Sequence, residues 1–260
     1  MTTTAVRGTQ TIVRAVTLLK AVAARPMQGW RLTDLAAHCG FDKGSAHRIL
    51  AGLVHQRMVA QRTLDRHYVP GPLLFELGLG VADLSAYRSA CMPALARLQR
   101  DAPGVAFLYL RSGDEFVCAA RVGPTTLKGL SINVGTRRPL VVSAGGVAML
   151  LALPAAEQQQ VQVANFRQIE SFGAARLAAV QKMLRRSRRA GYGLNLADVV
   201  PGINAVSVPL HDADGHVIAS LTVSGSVQAL PRARLDAVVQ MLRSEAGQIE
   251  AEHPRPTRLA

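Results

Sequence analysis

Leu32-Thr-Asp-Leu-Ala-Ala-His-Cys-Gly-Phe-Asp-Lys-Gly-Ser-Ala-His-Arg-Ile-Leu-Ala-Gly-Leu53 reads as two short helices joined by a tight turn. Leu35, Ala36 and Cys39 share one face of the first helix, and the Thr33 hydroxyl is the expected N-cap. Gly40 ends that helix because glycine enters the left-handed region without a Cβ penalty. The second helix begins near Lys43, with Ala46, Ile49, Leu50 and Leu53 turned inward. Lys43, Ser45, His47, Arg48 and Ala51 remain on the outside. Two helices around a short glycine turn form the helix-turn-helix plan, whose second helix enters a major groove. Lys43, Ser45 and Arg48 suit phosphates or base edges, and small neighbours let the helix sit deep.

The flanking residues extend this plan. Upstream, Ile12, Val16, Leu19 and Val22/Ala23 recur at helical spacing, and Arg25-Pro26 should stop that helix. Downstream, Met58–Arg62 and Arg66–Val69 flank Thr63-Leu64-Asp65 as a hairpin, the expected wing. Arg62 and Arg66 border its turn, where they are expected to meet the sugar-phosphate backbone. These residues alone leave two readings open. One is a winged helix-turn-helix; the other is a three-helix bundle with a hairpin and a solvated basic face.

Composition narrows the classes. The 260 residues are 49% hydrophobic and 18% charged, enough for a core and for one large domain or two ordinary ones. The net charge of +13 favours a polyanion partner, and residues 1–80 carry ten basic side chains against four acidic ones. No apolar run approaches the roughly 18–20 residues that span a bilayer. The N-terminus lacks a signal-peptide pattern, so a cytoplasmic location and no membrane partner are expected. Cys39, Cys91 and Cys118 lie far apart and read as buried thiols.

Pro70-Gly-Pro72 punctuates the chain after the wing, and Leu73, Leu74, Leu77, Val81 and Leu84 then follow at helical spacing. The domains expected are 1–71 for DNA binding, a linker helix over 72–92, and a second domain over 93–260 with a disordered tail from about 253. In that second domain 93–103 reads as helix, and 105–110 with 115–120 as a hairpin. A strand over 127–134 and helices over 145–153 and 174–190 follow. Arg185, Arg186, Arg188 and Arg189 on the last helix read as a solvated face. Ile203–Leu210 and His216–Ser224 flank the turn Asp212-Ala-Asp-Gly215. Pairing His211 with His216 puts Val206 opposite Leu221 on one side, and Ala205 opposite Thr222 with Ser207 opposite Ser220 on the other. That second face is either a ligand floor of small residues and hydroxyls or simply the wet side of a sheet.

Lys43-Gly-Ser-Ala-His-Arg48, within the opening stretch, resembles the helix-turn-helix of IclR-type transcriptional regulators, and Tyr68–Gly78 is similar to the family's wing and linker. The likeness continues through Gly135-Thr-Arg-Arg-Pro-Leu, Ala144–Ala152, Arg189-Ala-Gly-Tyr-Gly193, Pro201–Leu210 and Leu221–Gly225. It implies an α/β (α+β) chain: an N-terminal winged helix-turn-helix and a C-terminal GAF-like antiparallel sheet flanked by helices. It also implies partners, namely double-stranded DNA, a small organic acid effector, and further copies in a homodimer or tetramer. The DNA-binding set is then Arg31, Thr33, Lys43, Ser45, Ala46, His47, Arg48, Arg62 and Arg66. The effector set is Leu130, Ala144, Gly145, Asn195, Ile203, Ala205, Thr222 and Ser224.

Three positions depart from relatives that bind small oxoacids. Asn195 replaces an acid, Ala205 a cysteine, and Gly146-Val-Ala148 the usual Gly-Lys-Ala. The expected pocket is roomier and less polar, suited to a larger organic or aromatic acid. No HExxH, GxSxG, GxGxxG or Walker loop occurs, so no enzyme, cofactor or metal is expected.

Overall fold

The computed structural model describes residues 8–124 and 132–253. The chain divides into two compact units between Ala82 and Asp83, inside the expected linker.

In the first unit, helices α1 (Gln10–Ala23), α2 (Leu32–Cys39) and α3 (Lys43–His55) precede strands β1 (Val59–Gln61) and β2 (Tyr68–Pro70) and helix α4 (Pro72–Leu79). Leu18, Val22, Leu35, Ala46, Leu50, Leu53, Val59 and Tyr68 form one apolar core. Gly40 takes φ +69°, and the Phe41 amide returns to the Ala36 carbonyl, closing α2 with a left-handed cap. Asp42 then caps α3 by accepting from Ser45 N at 2.8 Å. The N-cap of α2 is Arg31, with no side-chain bond; Thr33 lies one residue inside the helix, where its hydroxyl does not reach the cap position. β1 and β2 pair antiparallel, and Trp30 adds a bridge to Tyr68 on the far side. Trp30 also donates Nε1–H to the Ala21 carbonyl at 2.8 Å, tying the wing base to α1. Gly71 is required where the chain leaves the wing, since a Cβ there would overlap the Arg57 carbonyl.

The expected single linker helix is two. α4 ends at Leu79, Gly80 and Val81 interrupt, and α5 (Ala82–Asp101) continues into the second unit. Glycine in a helix interior costs about 1 kcal/mol relative to alanine, and Gly78 and Gly80 fall together at this break.

The second unit is a six-stranded antiparallel sheet between two helical layers. Its strands are β3 (Val105–Ser112), β4 (Glu115–Val122), β5 (Arg137–Pro139), β6 (Gly193–Leu196), β7 (Ile203–His211) and β8 (Val217–Ser226), in spatial order β5-β4-β3-β8-β7-β6. α5 and α9 (Leu235–Glu252) supply Leu95, Leu98, Val238 and Leu242 to the core on one face. α6 (Ala144–Leu151), α7 (Ala155–Ile169) and α8 (Ala174–Ala190) supply Val147, Leu150, Val161 and Met183 on the other. β3, β4 and β8 contribute to both cores, so both faces of the sheet are covered.

Two further expectations change. Of the strand expected over 127–134, residues 127–131 lie outside the described residues, and 132–135 form an irregular turn with Thr136 N donating to Asn133 O. The edge strand is instead Arg137–Pro139. The β7–β8 register is displaced by two residues: Val206 pairs with Val223, Ala205 with Ser224 and Ser207 with Thr222. A bulge between Leu210 and His211 moves the turn closure to Asp212 N→His216 O. Because side chains alternate with period two, a two-residue displacement keeps every residue on its expected face. The expected tail also lies outside the described residues, which end at His253.

Candidate DNA-reading helix and effector-sensing face

The exposed surface of α3 carries Lys43, Gly44, His47, Arg48, Ala51, Gly52 and His55, while Ala46, Leu50 and Leu53 are buried. Ala46 is fully enclosed in the core, so it supports the helix and does not face a partner. Arg48 bonds Ser45 Oγ at 3.2 Å, which aligns its guanidinium along the exposed face. Gly44, Ala51 and Gly52 keep that face low, so backbone and base edges approach closely. Arg31 and Thr33 are exposed at the start of α2.

The two wing arginines differ. Arg66 is exposed, in a left-handed conformation at φ +60°. Arg62, expected to meet phosphate, is committed internally. Its guanidinium donates to the Met27 carbonyl at 2.8 Å, the Gln28 carbonyl at 2.7 Å and both Asp65 oxygens. It thus staples the wing turn to the α1–α2 connection. The Asp65 carboxyl is held well below the usual carboxylate range, mainly by its bond with His67 and then by Arg62.

On the second unit the expected effector residues gather on one sheet face. Cross-strand layers run Val105–Ser224–Ala205–Asn195 and Phe107–Thr222–Ser207–Gly193. The N-terminal turn of α6 lies over them, with Ser143 accepting from Gly146 N at 2.9 Å. Ala144, Gly145, Asn195, Ile203, Ala205, Thr222 and Ser224 are all buried; Leu130 lies outside the described residues. Gly145 must be glycine here. A Cβ on it would penetrate the Tyr109 ring and come 2.6 Å from Thr222 Oγ1.

Two details qualify the expected roomy, hydroxyl-lined pocket. The Asn195 amide is spent on backbone, donating Nδ2–H to Ile203 O at 2.8 Å and accepting from Val199 N at 3.2 Å. It clamps the 197–202 loop, with its left-handed Ala197. The Tyr109 ring occupies the space beneath Gly145, in a cluster with Phe107 and Phe116 at centroid distances of 5.4 and 4.5 Å. The sequence reading passed over Tyr109, although its place two residues from Phe107 on one strand put it on the same face. Thr222 donates to Ser207 Oγ at 2.8 Å, and Ser207 donates to Leu221 O at 2.7 Å.

Elsewhere, Arg186 of the basic helix α8 pairs with buried Asp198, and Arg188 donates to Gln162 Oε1, while Arg185 and Arg189 stay exposed. Asp212, Asp214 and His216 also come together in the β7–β8 turn, where Asp212 Oδ1 accepts from both Asp214 N and His216 N as a turn cap. No helix among the described residues is long and apolar enough to cross a membrane.

Comparison with known proteins places both units. Residues 11–63 match the IclR helix-turn-helix domain, and residues 81–251 match the C-terminal domain of bacterial IclR transcriptional regulators. The chain belongs to the IclR family of transcriptional regulators. Among relatives, the glycerol operon regulatory protein of Streptomyces griseus is 24% identical over 224 residues, covering 86% of this chain and 87% of that protein. An IclR-family regulator from Brucella abortus has the same fold, with a TM-score of 0.72 at 20% identity over 94% of this chain and 92% of that one. An IclR homolog from Microbacterium hydrocarbonoxydans, solved in complex with 4-hydroxybenzoate, superposes with a TM-score of 0.67 at 20% identity, covering 93% and 98% of the two chains. The IclR fold thus joins a helix-turn-helix domain to an effector-binding C-terminal domain, and no enzyme family is among these matches.

Proposed function

We propose that this IclR-family chain is a sequence-specific DNA-binding regulator that answers to a small organic acid, with an aromatic acid the favoured class. The observation carrying the DNA half is the division of α3, whose core side is buried while Lys43, His47 and Arg48 are exposed on a low surface. Lys43 and Arg66 bind phosphate; Arg48 reads base edges. The protein works in the cytoplasm as a homodimer or a dimer of dimers. Exposed Ile12, Val13 and Val16 on α1, and Phe75, Leu77 and Leu79 on or at the end of α4, favour self-association. Two-fold sites need two reading helices about one helical turn, or a multiple, apart.

The effector half rests on the buried small-residue face under α6 and on its lack of an unpaired acid, since Asn195 is neutral and internally bonded. The relative holding 4-hydroxybenzoate supports an aromatic acid for this chain too. Effector binding favours one arrangement of sensor domains and thereby changes the population competent for DNA. Gel retardation on the DNA upstream of the chain's own gene tests the reading. Retardation should be salt-sensitive, resist bulk competitor DNA and respond to an organic acid. Bulk DNA competing as well as the specific fragment would replace it with a non-specific binder.

A further inference from the structure

Ser220 is completely buried, and its Oγ has no hydrogen-bond partner. It lies directly across from Tyr109 in the β3–β8 ladder, so both side chains share the face that carries Thr222 and Ser224. A buried hydroxyl without a partner is expensive to maintain and is usually retained for a reason. Beside it, the Tyr109 ring is the surface that Gly145 and Thr222 close upon. Arg121 on the same face, its guanidinium 5.8 Å from the Phe107 ring centre, is already committed, donating to the Pro124 and Ile132 carbonyls and to Asn133 Oδ1. At Ser220 the sheet face therefore offers a flat aromatic wall and a hydroxyl with free bonding capacity.

We infer that Tyr109 and Ser220 set the effector's class: a ring-bearing acid with a second hydrogen-bonding substituent, its ring against Tyr109 and its substituent at Ser220. This rests on the sensor reading above and extends it to two residues outside the expected effector set. The ring limits size, because it fills the space between Gly145 and Thr222 and an occupant must displace it. The hydroxyl selects among acids of equal size, because a bond that only one ligand makes is worth far more for discrimination than an extra methylene.

The test is titration calorimetry of the full chain with glyoxylate, benzoate and 3- and 4-hydroxybenzoate. Wild type should bind at least one hydroxybenzoate about tenfold or more tightly than benzoate. Ser220→Ala should bring that ratio close to one and leave benzoate affinity unchanged. Folding is not at risk in this variant, since it removes an unpaired hydroxyl and little volume. Tyr109→Phe should keep the ranking, and Tyr109→Leu should weaken all ring-bearing acids together. Ser220→Ala with an undiminished preference would overturn the inference while leaving acid sensing intact. Binding of glyoxylate alone, or of no acid by any form, would remove both this inference and the sensor reading beneath it.

Discussion

Replacing Arg62 by alanine separates two roles that its position in the sequence allows. As a phosphate contact it would lower DNA affinity on every sequence and leave the fold alone. The structure instead has its guanidinium holding the Met27 and Gln28 carbonyls and Asp65, with its side chain about 38% exposed. Charge-assisted bonds are worth about 1.5–3 kcal/mol each when shielded, and exposed ion pairs about 1 kcal/mol or less. With partial exposure, and with water able to solvate the freed carbonyls, the net loss should be about 1–2 kcal/mol. The only tryptophan in the chain, Trp30, is buried in this unit, so its fluorescence reports on the N-terminal unit within the intact protein. For a unit of this size the urea slope is about 1 kcal/mol per molar, so the Trp30 midpoint should fall by about 1–2 M. Arg62→Lys should recover little, because an ammonium cannot fork to two carbonyls. An unchanged midpoint, with uniformly weaker DNA binding and a shallower salt dependence, would refute the staple and restore the phosphate role.

Other substitutions probe the two sites separately. Arg48→Ala should cost about 1–3 kcal/mol on the specific operator and much less on unrelated DNA, read by competition gel retardation. Gly145→Ala should destabilise the second unit by about 1–3 kcal/mol, because the added methyl meets Tyr109 and Thr222. In calorimetry that lowers Tm by about 2–4 °C per kcal/mol. The His38 imidazole, pushed below its ordinary 6.5 by burial and by Arg25, is neutral in the folded unit where the unfolded chain already takes up a proton. Its contribution is therefore present above pH 6.5 and lost as pH falls towards the folded value, so the Trp30 urea midpoint should drop between pH 7.5 and 5.5. In His38→Gln that drop should be smaller; an equal drop would assign it to other groups.

The helix-turn-helix was legible because its signals are local. Gly40 needs the left-handed region, and Ala46, Leu50 and Leu53 fix the inner side of α3 by spacing alone. The wing was legible as a hairpin, but its third member was not. Trp30 joins Tyr68 across 38 positions, and no periodicity announces a single-residue bridge. The linker was read as one helix because its apolar spacing runs through Gly78 and Gly80, and glycine weakens a helix without forbidding it. α7 is rich in glutamine, and only a few of its residues, Val161 and Ile169 among them, reach the core, so its pattern gave little to read.

The candidate sites show where this legibility stops. Faces were assigned well, since the side-chain alternation of β7 and β8 survived a two-residue error in their register. Partners were not. Arg62 and Asn195 both have polar groups of the right chemistry for an external ligand, and both spend them on backbone carbonyls and amides far from any motif. Ser220 is the reverse case, a residue type that usually finds an internal partner and here has none. The difference lies in how many bonding positions the surrounding backbone leaves unfilled, and that is fixed only when distant segments meet. A residue's availability for a ligand is thus a property of the folded accounting of donors and acceptors. On that accounting the proposed sensing face loses Asn195 and gains Ser220, and the proposal moves effector selection along β8 from the end beside Asn195 to the step beside Tyr109.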